Sequence, residues 1–184
     1  MKPLIILDRD GVINQDSMAY IKSPDEFILL PGSIDAIVRL HEAGFNIAIA
    51  TNQSGIARGY YTEAILHAIH EKLLNAVNAA GGEIASIQYC QHMPDSGCGN
   101  RKPMPGMLHT IAKQLQCTLD GAVMVGDRIT DILAARAAGV RPMVVRSSMT
   151  DEEQLIKFPE VPVFDSLKSC VDEVLSTVWQ PLDA

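Results

Sequence analysis

At 184 residues, with 47% apolar side chains and no low-complexity segment, the chain is long enough for one domain with a sizeable core. A formal net charge of −7 argues against broad binding to nucleic acid or anionic membranes, which calls for basic surface, although a small anion could still occupy a local basic pocket. No apolar run approaches the ~20 residues of a membrane span, and the N-terminal run Leu4–Leu7 is shorter than the about 7–15 residues of a signal-peptide core. A cytoplasmic protein with its four cysteines reduced is therefore expected.

Leu4–Leu7 reads as a short buried strand that runs into Asp8-Arg9-Asp10-Gly11-Val12. Side chains two apart on a strand share a side, so Asp8 and Asp10 face one ligand while Arg9 points away, and Gly11 lets the chain turn. One carboxylate suits a nucleophile or metal ligand and the other an acid/base. A strand end bearing two solvated acids would show the same pattern. Ser33–Ala43 is predicted helical, with Gly32 or Ser33 at its start and Gly44 at its stop. Then follow strand Asn46–Thr51, helix Thr62–Ala80 with Gly81 beyond it, strand Ser86–Cys90, helix Gly106–Leu115, strand Ala122–Gly126, helix Ile129–Ala138 ending at Gly139, and strand Arg141–Val145. His67 and His70, three apart on the second helix, read as a solvated pair. After residue 148 the pattern predicts one more helix, a short strand near Val161–Phe164, a last helix Leu167–Val178 and a frayed Gln180–Ala184. Short apolar strands alternating with helices imply an α/β fold. The expected form is a doubly wound, mainly parallel sheet with helices on both faces, built as a single domain over residues 1–184.

Such sheets bind ligands at the carboxyl ends of their strands. That edge receives Asp8 and Asp10 from the first strand and Thr51, Asn52, Gln53 and Ser54 from the second. The loop of residues 90–105 brings Arg101 and Lys102, and the fourth strand brings Asp127 with Asp131 one helical turn later. Asp8 and Asp127 could hold a hard cation, for which Mg²⁺ fits best because it takes one or two carboxylates plus waters and phosphate oxygens. Thr51 can donate to a phosphoryl oxygen, Lys102 can neutralise its charge, and the turn Gln53-Ser54-Gly55 can add backbone donors. This is the equipment of phosphoryl transfer.

Asp8-Arg9-Asp10-Gly11, Thr51, Lys102 and Gly126-Asp127-x-x-x-Asp131 resemble the four motifs of the haloacid dehalogenase superfamily of phosphatases, over roughly residues 1–146. The stretches Thr51–Gly59 and Arg101–Met107 are similar to its branch acting on heptose bisphosphate or histidinol phosphate. The resemblance implies that Asp8 attacks phosphorus and that Asp10 protonates the leaving oxygen and then activates water. Thr51 and Lys102 would steady the phosphoryl group. Mg²⁺ would bind Asp8, the backbone carbonyl of Asp10, and Asp127, with Asp131 orienting its neighbours. No large cap domain is expected. Asp16, Ser17, Met18 and Ala19, in the loop after the first strand, would contact sugar hydroxyls; Asn52, Gln53, Ser54, Arg101 and Arg128 would complete the substrate site. The implied activity is removal of the C7 phosphate of a heptose 1,7-bisphosphate, in the route to activated heptose for lipopolysaccharide, by a monomer with no nucleic-acid or membrane partner. Histidinol phosphate or a broader range of sugar phosphates is the alternative.

A phospho-acceptor signalling domain is the competing class, since it also combines a doubly wound sheet with Asp, Thr and Lys. Asp10 argues against it, because an acid/base beside the nucleophile promotes turnover rather than storage. In loop 90–105, Cys90, His92 and Cys98 stand where the superfamily resemblance implies structural Zn²⁺, but Asn100 occupies the place of the fourth ligand. A neutral amide is a poor zinc ligand, so either Asp95 or water completes the site, or zinc is absent and this is a Pro/Gly-rich loop with a strand-end Cys and a surface His.

Overall fold

The computed structural model describes residues 2–177. Six strands, β1 (Leu4–Leu7), β2 (Asn46–Asn52), β3 (Ser86–Cys90), β4 (Val123–Gly126), β5 (Arg141–Val145) and β6 (Val163–Phe164), form one sheet in the order β3-β2-β1-β4-β5-β6. Every pairing is parallel. The connections carry α1 (Ser33–Glu42), α2 (Glu63–Ala79), α3 (Gly106–Gln114), α4 (Ile129–Ala137) and α5 (Glu152–Leu155), and α6 (Leu167–Thr177) follows β6. The doubly wound expectation therefore holds. Boundaries shift by a residue or two, and β6 begins at Val163 rather than Val161. Val178 and the tail Gln180–Ala184 lie outside the described residues.

The strands are apolar throughout because the sheet is covered on both faces. Alternate residues feed two cores. Ile5, Leu7, Ile47, Ile49, Val123, Val125, Met143 and Val145 pack with Ile37 and Leu40 of α1, Ile69 and Leu73 of α2, and Val171 and Val174 of α6. On the other face Leu4, Ile6, Ala48, Ala50 and Met124 meet Met107, Leu108 and Ile111 of α3 and Ala135 of α4. A smaller cluster joins Ile132 of α4 to Val144, Leu155 and Val161.

Helix boundaries follow local chemistry. Thr62 caps α2, its hydroxyl accepting from the Ile65 N–H at 3.3 Å. Gly32 occupies the N-cap of α1 in a left-handed conformation, whereas the Ser33 hydroxyl donates back to Leu30 O and caps nothing. Between β1 and α1 there is no helix or ladder strand, only isolated bridges at Asn14, so no cap domain enters at this point. Among the described residues no helix is long and apolar enough to cross a membrane.

The strand order reverses between β1 and β4, and the crevice opens above their carboxyl ends. Two glycines let the chain close there. Gly11 has φ +81°, and a Cβ on it would overlap the Asp127 carboxylate; a Cβ on Gly126 would overlap that of Asp131. Gly11→Ala should therefore cost about 1–3 kcal/mol of stability, the range for a forced non-glycine residue in left-handed backbone. Urea unfolding checks this; an unchanged midpoint would mean that the backbone at residue 11 relaxes out of the left-handed region and that Asp127 moves aside.

Candidate active site

A cavity of about 510 Å³ sits over the carboxyl ends of β1, β2 and β4, a size that suits a small organic ligand. Of the residues expected there, Asp8, Asp10, Asp16, Ser17, Met18, Thr51, Asn52, Gln53, Ser54, Arg101, Lys102 and Arg128 line it. Ala19 does not, although its loop does.

Three carboxylates gather at the cavity floor. Ligand oxygens of Asp8, Asp127 and Asp131 lie within 4.8 Å of one another, and all three residues are buried. Only Asp8 lines the cavity. Its Oδ1 accepts from the Arg9 N–H at 2.8 Å and pairs with Lys102 Nζ at 3.0 Å. Lys102 Nζ also meets Asp131 Oδ1 at 2.6 Å and donates to Ala50 O at 2.7 Å. Asp131 Oδ2 accepts from the Asp127 and Arg128 N–H groups at 3.2 and 3.0 Å, which ties the end of β4 to the first turn of α4. Asp131 thus does more than orient neighbours, since one of its oxygens belongs to the acid cluster itself.

Burial pushes Asp8 up to about 7, with Asp131 and Asp10 adding to the rise against Lys102. Burial, with Asp8 and Asp131 beside it, pushes Asp127 up to about 8. Burial would lower Lys102, but the charges of Asp131 and Asp8 outweigh it and hold the ammonium above its ordinary value. Three acids therefore face one lysine, and Asp127 Oδ1 is buried without a hydrogen-bond partner. An orphaned buried carboxylate oxygen beside a second acid fits a hard cation with oxygen ligands, as Mg²⁺ requires.

Asp10 lies above this floor and is gripped from several sides. Arg9 does not point away as the strand pattern suggests; it is fully buried and folds back onto Asp10. Burial alone would raise Asp10, but the Arg9 charge and the hydrogen bonds from Asn14, Arg9 and Gln53 bring it below its ordinary value. Asn52 and Gln53 are braces as much as lining. The Asn52 side chain exchanges two hydrogen bonds with the Lys102 backbone, at 3.0 and 3.1 Å. Gln53 Nε2 donates to Thr51 Oγ1 at 2.9 Å and to Asp10 Oδ2 at 3.0 Å. The Gln53 N–H is spent on Cys90 O, so the turn after Thr51 offers one backbone donor fewer than expected.

The cavity rim is basic. Arg58, Arg101 and Arg128 line it. Arg101 is anchored to His92 O at 3.0 Å, and Arg128 pairs with Asp16 at 2.5 Å, which latches the loop after β1 to the start of α4. Beside the rim, Cys90 Sγ stands 3.5 Å from His92 Nδ1 and 3.7 Å from Cys98 Sγ. Asp95 does not join these three, and the Asn100 carbonyl oxygen is turned against Gly106.

Several contributors escape the sequence reading. Ser147 Oγ donates to Asp127 Oδ2 at 2.6 Å, and Thr150 Oγ1 donates to Asp127 O at 2.8 Å. Applying the carboxyl-end rule to β5 would have pointed to Ser147. Met149, Asp151 and Gln154 add a wall to the cavity from the segment after β5. His70 is buried rather than solvated, because it shares the inward face of α2 with Leu66, Ile69, Leu73 and Val77; His67 is exposed. That apolar spacing was the available signal. Tyr61 is buried with its hydroxyl on Gln53.

A family model described as HAD-hyrolase-like matches residues 99–170. The D-glycero-β-D-manno-heptose-1,7-bisphosphate 7-phosphatase of Pseudomonas putida is 49% identical over 173 residues, covering 94% of this chain and 99% of that protein. The protein of the same name from Pseudomonas aeruginosa is 48% identical, covering 95% and 98%. In fold, the chain is similar to the crystal structure of D,D-heptose 1,7-bisphosphate phosphatase from B. bronchiseptica complexed with magnesium and phosphate, with a TM-score of 0.88, 44% identity, and 96% and 99% of the two chains covered. Identity of this order along nearly the whole length, on a sheet edge equipped in this way, places the chain in the family of D-glycero-β-D-manno-heptose-1,7-bisphosphate 7-phosphatases, among the haloacid dehalogenase-like hydrolases.

Proposed function

We propose that the protein removes the C7 phosphate of D-glycero-β-D-manno-heptose 1,7-bisphosphate, with Mg²⁺ as cofactor, as a monomeric single-domain cytoplasmic enzyme. The observation that carries the chemistry is the division of labour among three clustered acids: Asp127 and Asp131 lie beneath the floor, and Asp8 alone reaches the cavity. An Asp8 oxygen attacks phosphorus, the bond from phosphorus to the sugar oxygen breaks, and Asp10 delivers a proton to that oxygen. Water then gives a proton to Asp10 as it attacks the same phosphorus, which releases phosphate and restores Asp8. Asp10 is held in its ionised form at rest, ready for the second step; an incoming phosphate dianion raises its proton affinity for the first. Thr51 and Lys102 face the transferred group. Asp8 and Asp127 would hold Mg²⁺, which supplies charge neutralisation at the phosphoryl oxygens. Arg58, Arg101 and Arg128 favour a substrate with a second anionic group, since guanidinium forks match phosphate oxygens. Cys90, His92 and Cys98 supply three soft ligands suited to zinc, which would brace the loop presenting Arg101 and Lys102.

Phosphate release should be fast from the β-anomer of heptose 1,7-bisphosphate and slow from histidinol phosphate and fructose 1,6-bisphosphate. Similar rates on all three would leave a phosphatase without the proposed selectivity. Asp8→Asn should bring release to background while circular dichroism stays unchanged; retained turnover would remove the nucleophile assignment.

A pH test follows from the raised carboxyls. Asp8 and Asp127, at about 7 and about 8 against an ordinary 3.8, keep protons in the folded state that the unfolded chain has already released. Between about pH 4 and pH 8 the metal-free fold should thus lose stability as pH rises. Asp10, held below its ordinary value, contributes with the opposite sign and only at the acid end of that window, and Lys102 stays charged throughout it. Mg²⁺ competes with the same protons, so its stabilisation should grow across the window. Melting curves with EDTA or Mg²⁺ read this directly, and a pH-independent Mg²⁺ effect would contradict it. Elemental analysis of the purified protein should find zinc, lost on Cys98→Ser; a zinc-free wild type would contradict the loop assignment.

A further inference from the structure

Asp10 is aimed by groups that are themselves aimed from one layer farther out. Arg9 Nε and Nη2 donate to Asp10 Oδ1 at 3.0 and 2.9 Å, and Gln53 Nε2 donates to Oδ2 at 3.0 Å. Either donor could be set differently. A guanidinium can rotate about its stem, and an amide can turn over and present oxygen instead of nitrogen. Both are fixed by residues that do not line the cavity. Tyr61 donates its hydroxyl to Gln53 Oε1 at 2.6 Å, which leaves the amide nitrogen to face Asp10 and Thr51. His70 Nε2 lies 3.2 Å from Arg9 Nη1. Arginine has only donors, so this ring nitrogen accepts, and the imidazole is neutral with its proton on Nδ1. Burial and the Arg9 charge, which push His70 down to about 3, agree with that state. A buried polar chain of this kind is costly unless each member is satisfied. An apolar residue at position 70 would meet the adjoining core without that cost, but would leave an Arg9 N–H unmet.

We propose that His70 and Tyr61 are positioning residues for the general acid: His70 sets Arg9, Tyr61 sets Gln53, and together they point the Asp10 carboxyl at the leaving oxygen. The proposal rests on the reading of Asp10 as the proton donor.

The test compares two substrates. The sugar substrate loses an alkoxide leaving group that needs a proton; para-nitrophenyl phosphate loses a phenolate that does not. Asp10 also activates water in the second displacement, which both substrates share, so every loss is read in kcat/KM, which ends at the first displacement. Tyr61→Phe and His70→Phe should lower kcat/KM about 10- to 100-fold on the sugar, the scale of a small misplacement, and leave kcat/KM for the nitrophenyl ester nearly unchanged. His70→Gln, which restores an acceptor near Nε2, should recover most of the sugar rate. Tyr61→Phe removes one oxygen atom and keeps the test readable if His70→Phe fails to fold. Equal losses on both substrates, no loss, or no rescue by His70→Gln would overturn the proposal. Asp10→Asn separates the two levels: if its own loss is equal on both substrates, the acid assignment falls, and the proposal with it. If that loss is selective while the His70 and Tyr61 variants show no selectivity, the proposal falls alone.

Discussion

Three carboxylates share a water-poor volume with one ammonium, and most of the local architecture exists to tolerate that imbalance. Lys102 stands within ion-pair distance of both Asp8 and Asp131 and donates a hydrogen bond to Ala50 O. Asp127 keeps one oxygen on Ser147 and leaves the other unpartnered. Left alone, such a cluster responds by keeping protons, which is why Asp8 and Asp127 sit near neutrality rather than in the ordinary carboxylate range. A divalent cation would resolve the same imbalance without protons. The glycines at 11 and 126 follow from this constraint, because the two strand ends can bring their acids together only where no Cβ intervenes.

The fold turns that local demand into a reactive site. Parallel pairing of β1 with both β2 and β4 places the reversal of strand order directly under the cavity. Acids arrive from β1 and β4, Thr51 from β2, and Lys102 from the loop after β3. The loop after β5 closes the arrangement by gripping Asp127 through Ser147 and Thr150. Farther out, the basic rim and the Arg128–Asp16 latch shape a mouth suited to a second anionic group.

Much of this was legible in the sequence for a physical reason. Buried parallel strands are written as continuous apolar runs, and the chemistry-bearing residues sit immediately after them. Asp8, Asp10, Thr51 and Asp127 are legible in this way. Side-chain partners across long sequence distances are not. Arg9 alternates with two acids, and strand periodicity sends it to the opposite side; its guanidinium instead reaches back because a buried positive charge needs Asp10. Asn52 and Gln53 sit where substrate contacts were expected, yet much of their hydrogen bonding goes to Lys102, Thr51 and Asp10. His70 carries helical spacing that marks the inward face, but its partner lies 61 residues away. The loop of Cys90, His92 and Cys98 was legible as a soft-ligand cluster, and among the described residues no further Cys, His, Asp or Glu joins it.

On this mechanism the phosphoryl group passes through Asp8, the one clustered acid that lines the cavity. The stereochemical course at phosphorus tests it most directly, with a substrate whose C7 phosphoryl group is chiral through oxygen isotopes and sulfur. Two successive in-line displacements, first by Asp8 and then by water, predict net retention. Inversion would mean a single displacement by water, and Asp8 would then be a metal ligand and nothing more.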